Sequence, residues 1–164
     1  MTDAHVTHID SYIYRRNQKG NLSYLLLKRQ PKKKYANLWQ GVAGKIEYGE
    51  TAVDAVLREI FEETGLKPLN LYIADHLTSF YQSYNDKINL VPVFMAEVDS
   101  KEVRISVEHC DYRWVNFENG LRILSWNQQK KALSAINTML QSGDCRLEWS
   151  KVKLDQERIL GDTK

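Results

Sequence analysis

The chain has 164 residues and a mass of 19.1 kDa, a size that favours one domain around one core and excludes a multidomain machine. Its composition, 43% hydrophobic and 27% charged, is that of a globular protein, and no run approaches the roughly 18 apolar residues that a membrane-spanning helix needs. The net charge of +2 is too small to favour a nucleic-acid or membrane surface.

The N-terminus has no basic stretch followed by an apolar run, so it does not resemble a secretory signal and we expect a cytoplasmic protein. Cys110 and Cys145 lack the C-x-x-C spacing of a zinc site, and we expect both to be reduced thiols. No period of roughly 20 to 50 residues recurs, which indicates one continuous domain rather than a repeat protein.

The first half of the chain has the pattern of a β-hairpin followed by a short strand. Alternating polarity predicts a strand over residues 5–14, and a turn at residues 17–21 joins it to a second strand over residues 22–28. A basic loop over residues 29–38 leads into residues 38–44, which are apolar but interrupted by glycines. We expect one short strand there, followed by a loop.

The clearest helix covers residues 51–64. Thr51 is a suitable N-cap, no glycine or proline interrupts the segment, and Gly65 supplies the stop. Its apolar residues recur at helical spacing: Ala52, Val53, Val56, Leu57, Ile60 and Phe61.

The second half of the chain predicts two long strands over residues 71–82 and 88–98, and a shorter one over residues 112–115. A helical stretch over residues 118–124 and a helix over residues 127–140 follow. Strands combined with a mid-chain and a late helix indicate an α+β fold.

The regular pattern ends near Gly143, because the following segment mixes charged and apolar residues without a clear period. We therefore divide the chain into a domain over residues 1–143 and a C-terminal tail over residues 144–164, to which the sequence assigns no structure.

One face of the predicted helix over residues 51–64 concentrates negative charge. Glu59 lies three and four residues before Glu62 and Glu63, so the three carboxylates share one side, with Cβ atoms about 5 to 6 Å apart. A divalent cation among them would relieve their repulsion, and hard oxygen ligands favour Mg²⁺, Mn²⁺ or Ca²⁺. Arg58 lies four residues before Glu62 and can hold its orientation. The alternative for an isolated pattern of this kind is a solvated acidic helix face.

The spacing around these acids argues against that alternative, because it resembles the signature of the Nudix hydrolases at every fixed position. The matching residues are Gly44, Glu50, Arg58, Glu59, Ile60, Glu62, Glu63, Gly65 and Leu66. The resemblance implies the family's fold, an α/β/α sandwich with a mixed sheet, over most of residues 5–141. It also implies a Mg²⁺-dependent pyrophosphohydrolase that cleaves a nucleoside diphosphate linked to a further group by attack of water on phosphorus.

The resemblance further assigns roles within the signature. It implies metal ligands at four positions, namely the backbone carbonyl of Gly44 and the carboxylates of Glu59, Glu62 and Glu63. Arg58 and Glu50 would brace these ligands. Mg²⁺ is the expected metal, with Mn²⁺ as a substitute.

Two carboxylates are candidates for the general base. Glu63 is one, and the other is Glu108, because in several Nudix subgroups a glutamate in a loop before a late strand takes this role. We predict that Glu108 is the base. His109 beside it is expected to be a surface residue.

The substrate is predicted from weaker resemblances. Residues 38–47, together with Leu124-Ser125-Trp126 and the basic helix that follows, are similar to the branch that includes dihydroneopterin triphosphate and dATP pyrophosphohydrolases. ADP-ribose hydrolases of the family typically carry a proline where this chain has Tyr81. A tyrosine at the position of Tyr84 is common among dinucleoside polyphosphate hydrolases, which makes diadenosine tetraphosphate the alternative substrate.

Several side chains are candidates for binding the substrate, and each has a structural alternative. Trp39, Tyr81 and Tyr84 are suited to stacking on a base or pterin, whereas core packing is favoured for Phe80 and equally suits Trp39. The phosphate-binding candidates are Arg29 and Lys45. The basic run over residues 32–34 is expected to be a solvated loop.

A non-enzymatic role is also open to Nudix-fold domains, some of which act as ligand-sensing or RNA-binding modules. Such domains commonly lose carboxylates of the signature, and this chain retains all of them. It shows no basic stripe and no appended helix-turn-helix, so we expect catalysis on a small nucleotide or pterin phosphate, without a nucleic-acid or membrane partner. The sequence leaves a homodimer open.

Overall fold

The computed structural model describes residues 3–141, 143 and 145–154. In this part of the chain the helices are α1 (Ala52–Thr64), α2 (Phe117–Ile123), α3 (Asn127–Gln141) and α4 (Cys145–Trp149). The strands are β1 (Asp3–Val6), β2 (His8–Arg16), β3 (Leu22–Arg29), β4 (Trp39–Gln40), β5 (Val42–Lys45), β6 (Asn70–Gln82), β7 (Lys87–Glu97) and β8 (His109–Val115). None of the described helices is long and apolar enough to cross a membrane.

The described strands form one mixed sheet. β1 and β2 run parallel to β7, and β6 pairs antiparallel with the other side of β7. β3 pairs antiparallel with β2, β4 and β8, and β5 pairs antiparallel with β2. The α+β class is therefore confirmed.

Each face of the sheet carries its own hydrophobic core, because successive side chains of a strand point to opposite faces. Alternate residues of β2 and β3 pack with α3: Tyr12, Tyr14, Tyr24 and Leu26. The residues between them pack with α1: Ile9, Ile13, Leu25 and Leu27. Burial of each large apolar side chain contributes roughly 1.5 to 3 kcal/mol, so the two helices are held on opposite faces and the predicted α/β/α sandwich is confirmed.

Capping fixes both ends of α1 where the sequence predicts them. The Thr51 hydroxyl accepts a hydrogen bond from the Asp54 backbone N–H at 3.2 Å, and the Asp54 carboxylate accepts one from the Thr51 N–H at 3.1 Å. At the other end Gly65 adopts φ 70° and donates its N–H to the Phe61 carbonyl at 2.8 Å. The acidic face is thus carried on a helix with fixed ends.

Two predicted strands are each divided in the structure. The first divides at Thr7, because β1 and β2 pair with different parts of β7. The glycine-interrupted segment forms β4 and β5, which pair with β3 and β2 respectively. A Cβ at Gly41, between them, would lie 2.5 Å from the Ser11 carbonyl oxygen, so the crossing between partners requires glycine.

Part of the predicted tail is ordered against the domain. After α4, the Ser150 carbonyl accepts a hydrogen bond from the Ile73 N–H, and the Val152 N–H donates to the Leu71 carbonyl, both at 2.8 Å. The chain therefore adds a short segment to the edge of β6. The remainder of the predicted tail, residues 144 and 155–164, lies outside the described residues. Cys110 and Cys145 are both free thiols.

The two glycines Gly65 and Gly20 provide a matched test of the α1 terminus. Both have positive φ, but a Cβ at Gly65 would lie 3.2 Å from the Arg104 Nε, whereas nothing lies within 4 Å at Gly20. We expect Gly20→Ala to lower the free energy of unfolding by roughly 1 to 2 kcal/mol through backbone strain alone, and Gly65→Ala to lower it further. Urea unfolding measures both. Equal losses would show that Arg104 moves away without cost.

Candidate active site

The site begins where β5 passes the side of α1. A Cβ added to Gly44 would collide with the carboxylate of Glu59, so the backbone of Gly44 lies directly against that side chain. Only glycine permits this approach. The close packing of β5 on α1 therefore brings the backbone of Gly44 and the carboxylate of Glu59 together.

Arg58 connects the helix to the loop that precedes it. Its Nε and Nη2 donate to the two carboxylate oxygens of Glu50 at 2.6 and 2.9 Å. Nη2 also donates to the Lys45 carbonyl at 2.9 Å, and Nη1 donates to Glu59 at 2.8 Å and to Glu62 at 3.2 Å. These bonds lower the pKa of Glu50 below its ordinary value and raise that of Arg58. A bidentate guanidinium–carboxylate pair is among the stronger charge-assisted contacts, so Arg58 fixes the loop on the helix.

Helical spacing predicts only one of these contacts. The i,i+4 pair between Arg58 and Glu62 is present, but its distance is longer than those to Glu50 and Glu59. Glu50 lies outside the helix, so its bidentate geometry does not follow from helical periodicity.

The three carboxylates of the helix occupy different environments. The side chains of Glu59 and Glu62 are 14% and 57% exposed, whereas Glu63 as a residue is only 4% exposed. The Glu63 Oε2 is buried without a hydrogen-bond partner in the described part of the chain. Burial, followed by repulsion from Glu59 and Glu108, raises the pKa of Glu63 to about 9. Burial also raises the pKa of Glu59, although Arg58 opposes the shift.

These groups fit a hard divalent cation. An orphaned carboxylate oxygen on Glu63, and the Gly44 backbone held against Glu59, supply the oxygen donors that Mg²⁺ and Mn²⁺ prefer. Among the described residues, no three histidine, cysteine, aspartate or glutamate side chains form a closed cluster as they stand. In this arrangement Glu59 and Glu62 are both hydrogen-bonded to Arg58.

Glu108 lies in the loop before β8 and approaches this group from outside the helix. Its carboxylate is 3.8 Å from Nη1 of Arg29, and its charge raises the pKa of Glu63. Backbone bonds connect the loop to both neighbours. The Ser106 N–H donates to the Glu63 carbonyl at 3.3 Å, and the Gln30 N–H donates to the Glu108 carbonyl at 3.0 Å. The fold therefore brings Glu108 into electrostatic reach of the acidic helix.

Ser106 is a residue that the sequence did not single out. Besides its bond to Glu63, its hydroxyl accepts the Glu108 N–H at 3.3 Å. One residue thus contacts the backbones of both candidate bases. No sequence signal indicates this role, because a serine in a polar loop has no distinctive pattern.

The expectation that His109 lies on the surface is wrong. The residue is 2% exposed, and neither ring nitrogen has a hydrogen-bond partner within the described residues. Burial and then the charge of Arg29 lower the pKa of His109 to about 4. It is buried because β8 pairs with β3 at this point, opposite Arg29.

The predicted substrate-binding residues fall into two groups. Trp39 is half-buried, with the Arg113 guanidinium 4.7 Å from its ring centre, and Arg29 lies beside Glu108. Lys45 is exposed at the end of β5. By contrast, the second group, Tyr81 and Tyr84, is exposed at the tip of the β6–β7 hairpin, and no hydrogen bond or ring contact found among the described residues connects it to the acidic helix. The Tyr81 hydroxyl donates to Asp86 at 3.0 Å.

Core packing of Phe80 is also a wrong prediction. Phe80 is 38% exposed and makes an edge-on contact with His8, with ring centroids 5.4 Å apart. The basic residues 32–34 are exposed, as expected for a solvated loop.

The sequence matches a known protein family and several of its members. The profile of the NUDIX domain matches residues 6–136. The asymmetrical bis(5'-nucleosyl)-tetraphosphatase of Mus musculus is 31% identical over an alignment of 101 positions, which covers 58% of this chain and 67% of that protein. The NAD-capped RNA hydrolase NudC of Salmonella paratyphi C is 39% identical over 80 residues, which are 48% of this chain but only 29% of that longer protein.

Solved structures have the same fold. A Nudix hydrolase of Listeria monocytogenes superposes with a TM-score of 0.71 at 26% identity, covering 84% of this chain and 95% of the other. The Ap4A hydrolase of C. elegans gives a TM-score of 0.66 at 20% identity, covering 85% and 98%. The dihydroneopterin triphosphate pyrophosphohydrolase of E. coli gives 0.62 at 23% identity, covering 79% and 94%. At these identities the last two show the fold alone.

The family profile covers most of the described sheet, α1 and most of α3. Nudix hydrolases generally use a divalent metal such as Mg²⁺ and act on small nucleotide substrates. From the signature on α1, the fold and the matching profile, this chain belongs to the Nudix family, as a pyrophosphohydrolase acting on phosphoric anhydride bonds.

Proposed function

We propose that this protein hydrolyses a nucleoside or pterin triphosphate to the monophosphate and pyrophosphate, through attack of water on phosphorus. The observation that carries the proposal is the buried carboxylate of Glu63, whose Oε2 has no hydrogen-bond partner among the described residues, on a helix that Arg58 fixes to Glu50. Glu59, against which the Gly44 backbone lies, is close enough to raise the pKa of Glu63. A triphosphate resists nucleophiles because of its own negative charge. A site that cleaves it therefore needs a cation, and the carboxylates are the groups that can hold one.

The proposed holders of the metal are Gly44, Glu59, Glu62 and Glu63. When bound, Mg²⁺ supplies neutralisation of phosphoryl charge and acidification of water, and Mn²⁺ is the expected substitute. Glu62 is exposed and bonded to Arg58, and it is proposed to turn toward the metal when the metal binds. Glu59 and Glu62 would then exchange their bonds to Arg58 for bonds to the metal. The Arg58–Glu50 pair is proposed to keep the helix in place during this exchange.

Glu108 is the proposed general base. Its side chain is 48% exposed, so water reaches it, whereas Glu63 is almost fully buried. The bonds of Ser106 to Glu63 and Glu108 hold the loop near the helix. Arg29 beside Glu108, and Lys45 beside Gly44, are the proposed contacts for phosphate oxygens.

The proposed substrate class is supported by the segments around Trp39 and Trp126, which are similar to those of dihydroneopterin triphosphate and dATP pyrophosphohydrolases. Trp39, Tyr81 and Tyr84 remain candidates for stacking on the ring. Cytoplasmic location and a homodimer stay predictions.

The alternative is a dinucleoside polyphosphate hydrolase. It is favoured by the similarity to the mouse bis(5'-nucleosyl)-tetraphosphatase, which this chain matches over 67% of its length, and by the tyrosine at position 84.

A hydrolysis screen with Mg²⁺ separates the two. Its substrates are nucleoside triphosphates, dihydroneopterin triphosphate, diadenosine tetraphosphate and ADP-ribose. We expect a monophosphate and pyrophosphate from a triphosphate, identified by chromatography. ATP plus AMP from diadenosine tetraphosphate, at a far higher kcat/KM than for any triphosphate, would instead establish the alternative.

Neutralising either of two helix carboxylates tests the metal site. We expect Glu62→Gln and Glu63→Gln to lower kcat by several orders of magnitude, because an amide is a weaker ligand than a carboxylate. Without metal, Glu63→Gln is expected to raise the melting temperature, since it removes a buried acid that has an unpartnered oxygen and is repelled by Glu59 and Glu108. Steady-state kinetics and thermal melts measure these effects. Near-normal turnover in both variants would contradict the assignment.

The role of Glu108 is tested by Glu108→Gln. We expect kcat to fall by at least about 10²-fold with little change in the Mg²⁺ concentration for half activity, because a base contributes roughly 10² to 10⁴-fold without binding metal. Glu102→Gln is the matched control, since Glu102 is an exposed acid in the same connection. If Glu63→Gln is inactive but Glu108→Gln changes kcat less than about threefold, the base lies on the helix.

A further inference from the structure

Two exposed aromatic rings from distant parts of the chain form a right-angled corner. Tyr35 lies in the loop between β3 and β4, and Trp126 lies just before α3. Their ring centroids are 6.1 Å apart, the planes are inclined at 85°, and the residues are 53% and 54% exposed. Exposed large aromatic side chains that contact each other leave ring faces open to solvent, where a flat ligand can stack.

The loop that carries Tyr35 is held in a strained conformation. Tyr35 and Asn37 both adopt left-handed φ angles, of 60° and 62°, which non-glycine residues rarely occupy. The strain is retained because Arg29 is bonded to the loop at two points. Its Nε donates to the Lys34 carbonyl at 2.9 Å, and its carbonyl accepts the Asn37 N–H at 3.2 Å.

Arg29 also connects this loop to the acidic site. Its Nη1 lies 3.8 Å from the Glu108 carboxylate, and its charge acts on Glu63. Arg29 therefore contacts both the loop that carries Tyr35 and the candidate base Glu108. This makes the corner a suitable position for the part of a substrate that lies beyond its phosphates.

Positive charge accompanies the rings. Nζ of Lys34 is 5.0 Å from the centre of the Tyr35 ring. A bridge between Leu124 and Trp39 connects the Trp126 segment to Trp39, over which the Arg113 guanidinium lies at 4.7 Å. Exposed aromatic rings with cations over or near them complement a ligand that is flat at one end and anionic at the other.

We propose that Tyr35 and Trp126 bind the heterocyclic ring of the substrate, with Lys34 facing its phosphates, so that this corner sets selectivity for substrates that carry a base. The inference rests on the proposed function and deepens it. The ring stacks on one aromatic face while the second ring borders its edge. Tyr35 and Trp126 are then specificity residues that act on substrate binding and not on the chemical step.

The test compares a substrate with a ring and one without. Tyr35→Ala and Trp126→Ala should raise the KM for the preferred nucleoside or pterin triphosphate roughly 5- to 100-fold, the range that base–aromatic stacking supports, with kcat changed little. Cleavage of inorganic tripolyphosphate, which has no ring, should be unaffected. Trp149→Ala is the matched control, since Trp149 is 79% exposed on α4 and outside the corner. An equal loss for both substrates would overturn the proposal.

Equilibrium binding keeps the inference distinguishable from the proposed function. The probes are α,β-methylene ATP and inorganic tripolyphosphate, titrated by calorimetry into wild type, both alanine variants, and the conservative variants Tyr35→Phe and Trp126→Phe. We expect the analogue to bind more tightly than tripolyphosphate, the alanine variants to lose this difference, and the phenylalanine variants to retain most of it. Retention of the difference in both alanine variants would overturn the proposal. If wild type hydrolyses no triphosphate, the proposed function fails, whereas this binding comparison is still decided.

Discussion

The bidentate contact between Arg58 and Glu50 is the interaction on which the site depends. It joins the loop before α1 to the second turn of that helix, and the remaining donors of the guanidinium reach Glu59, Glu62 and the Lys45 carbonyl. One side chain thereby fixes the relative position of β5, the loop and the acidic face. An arginine suits this role better than a lysine, because its planar fork satisfies several acceptors at once.

Glu63 receives none of the hydrogen bonds described for Arg58. It is buried, and one of its oxygens has no partner among the described residues. A buried carboxyl oxygen without a partner costs stability, and the repulsion of Glu63 by Glu59 and Glu108 adds to that cost. Such a cost is typical of functional sites, where stability is exchanged for a group held ready for a ligand. A cation would offset it, which is why the orphaned oxygen argues for metal more strongly than the number of acids does.

The sequence predicts the parts of this structure that depend on local pattern. The helices over residues 51–64 and 127–140 follow from a 3.6-residue period, and α1 also from its caps. The division of the first strand, the separation of β4 from β5 and the pairing of residues 150–152 with β6 depend on remote partners, which a local pattern does not reveal. The predictions for Phe80 and His109 are wrong for the same reason, because the exposure of each residue depends on the strands beside it.

Strand register explains why the site is assembled from distant segments. One edge of β2 serves two neighbours in succession, since residues 8–11 pair with β5 and residues 13–16 pair with β3. β3 leaves β2 there and continues beside β4 and β8. Gly44 thus lies on β5, which pairs with β2. Arg29, His109 and the loop of Glu108 belong to the pair formed by β3 and β8. A signature confined to residues 44–66 specifies only β5 and α1. The chemistry of the reaction is consequently readable from a short motif, whereas the groups that surround the substrate come from strands and loops that the motif does not include.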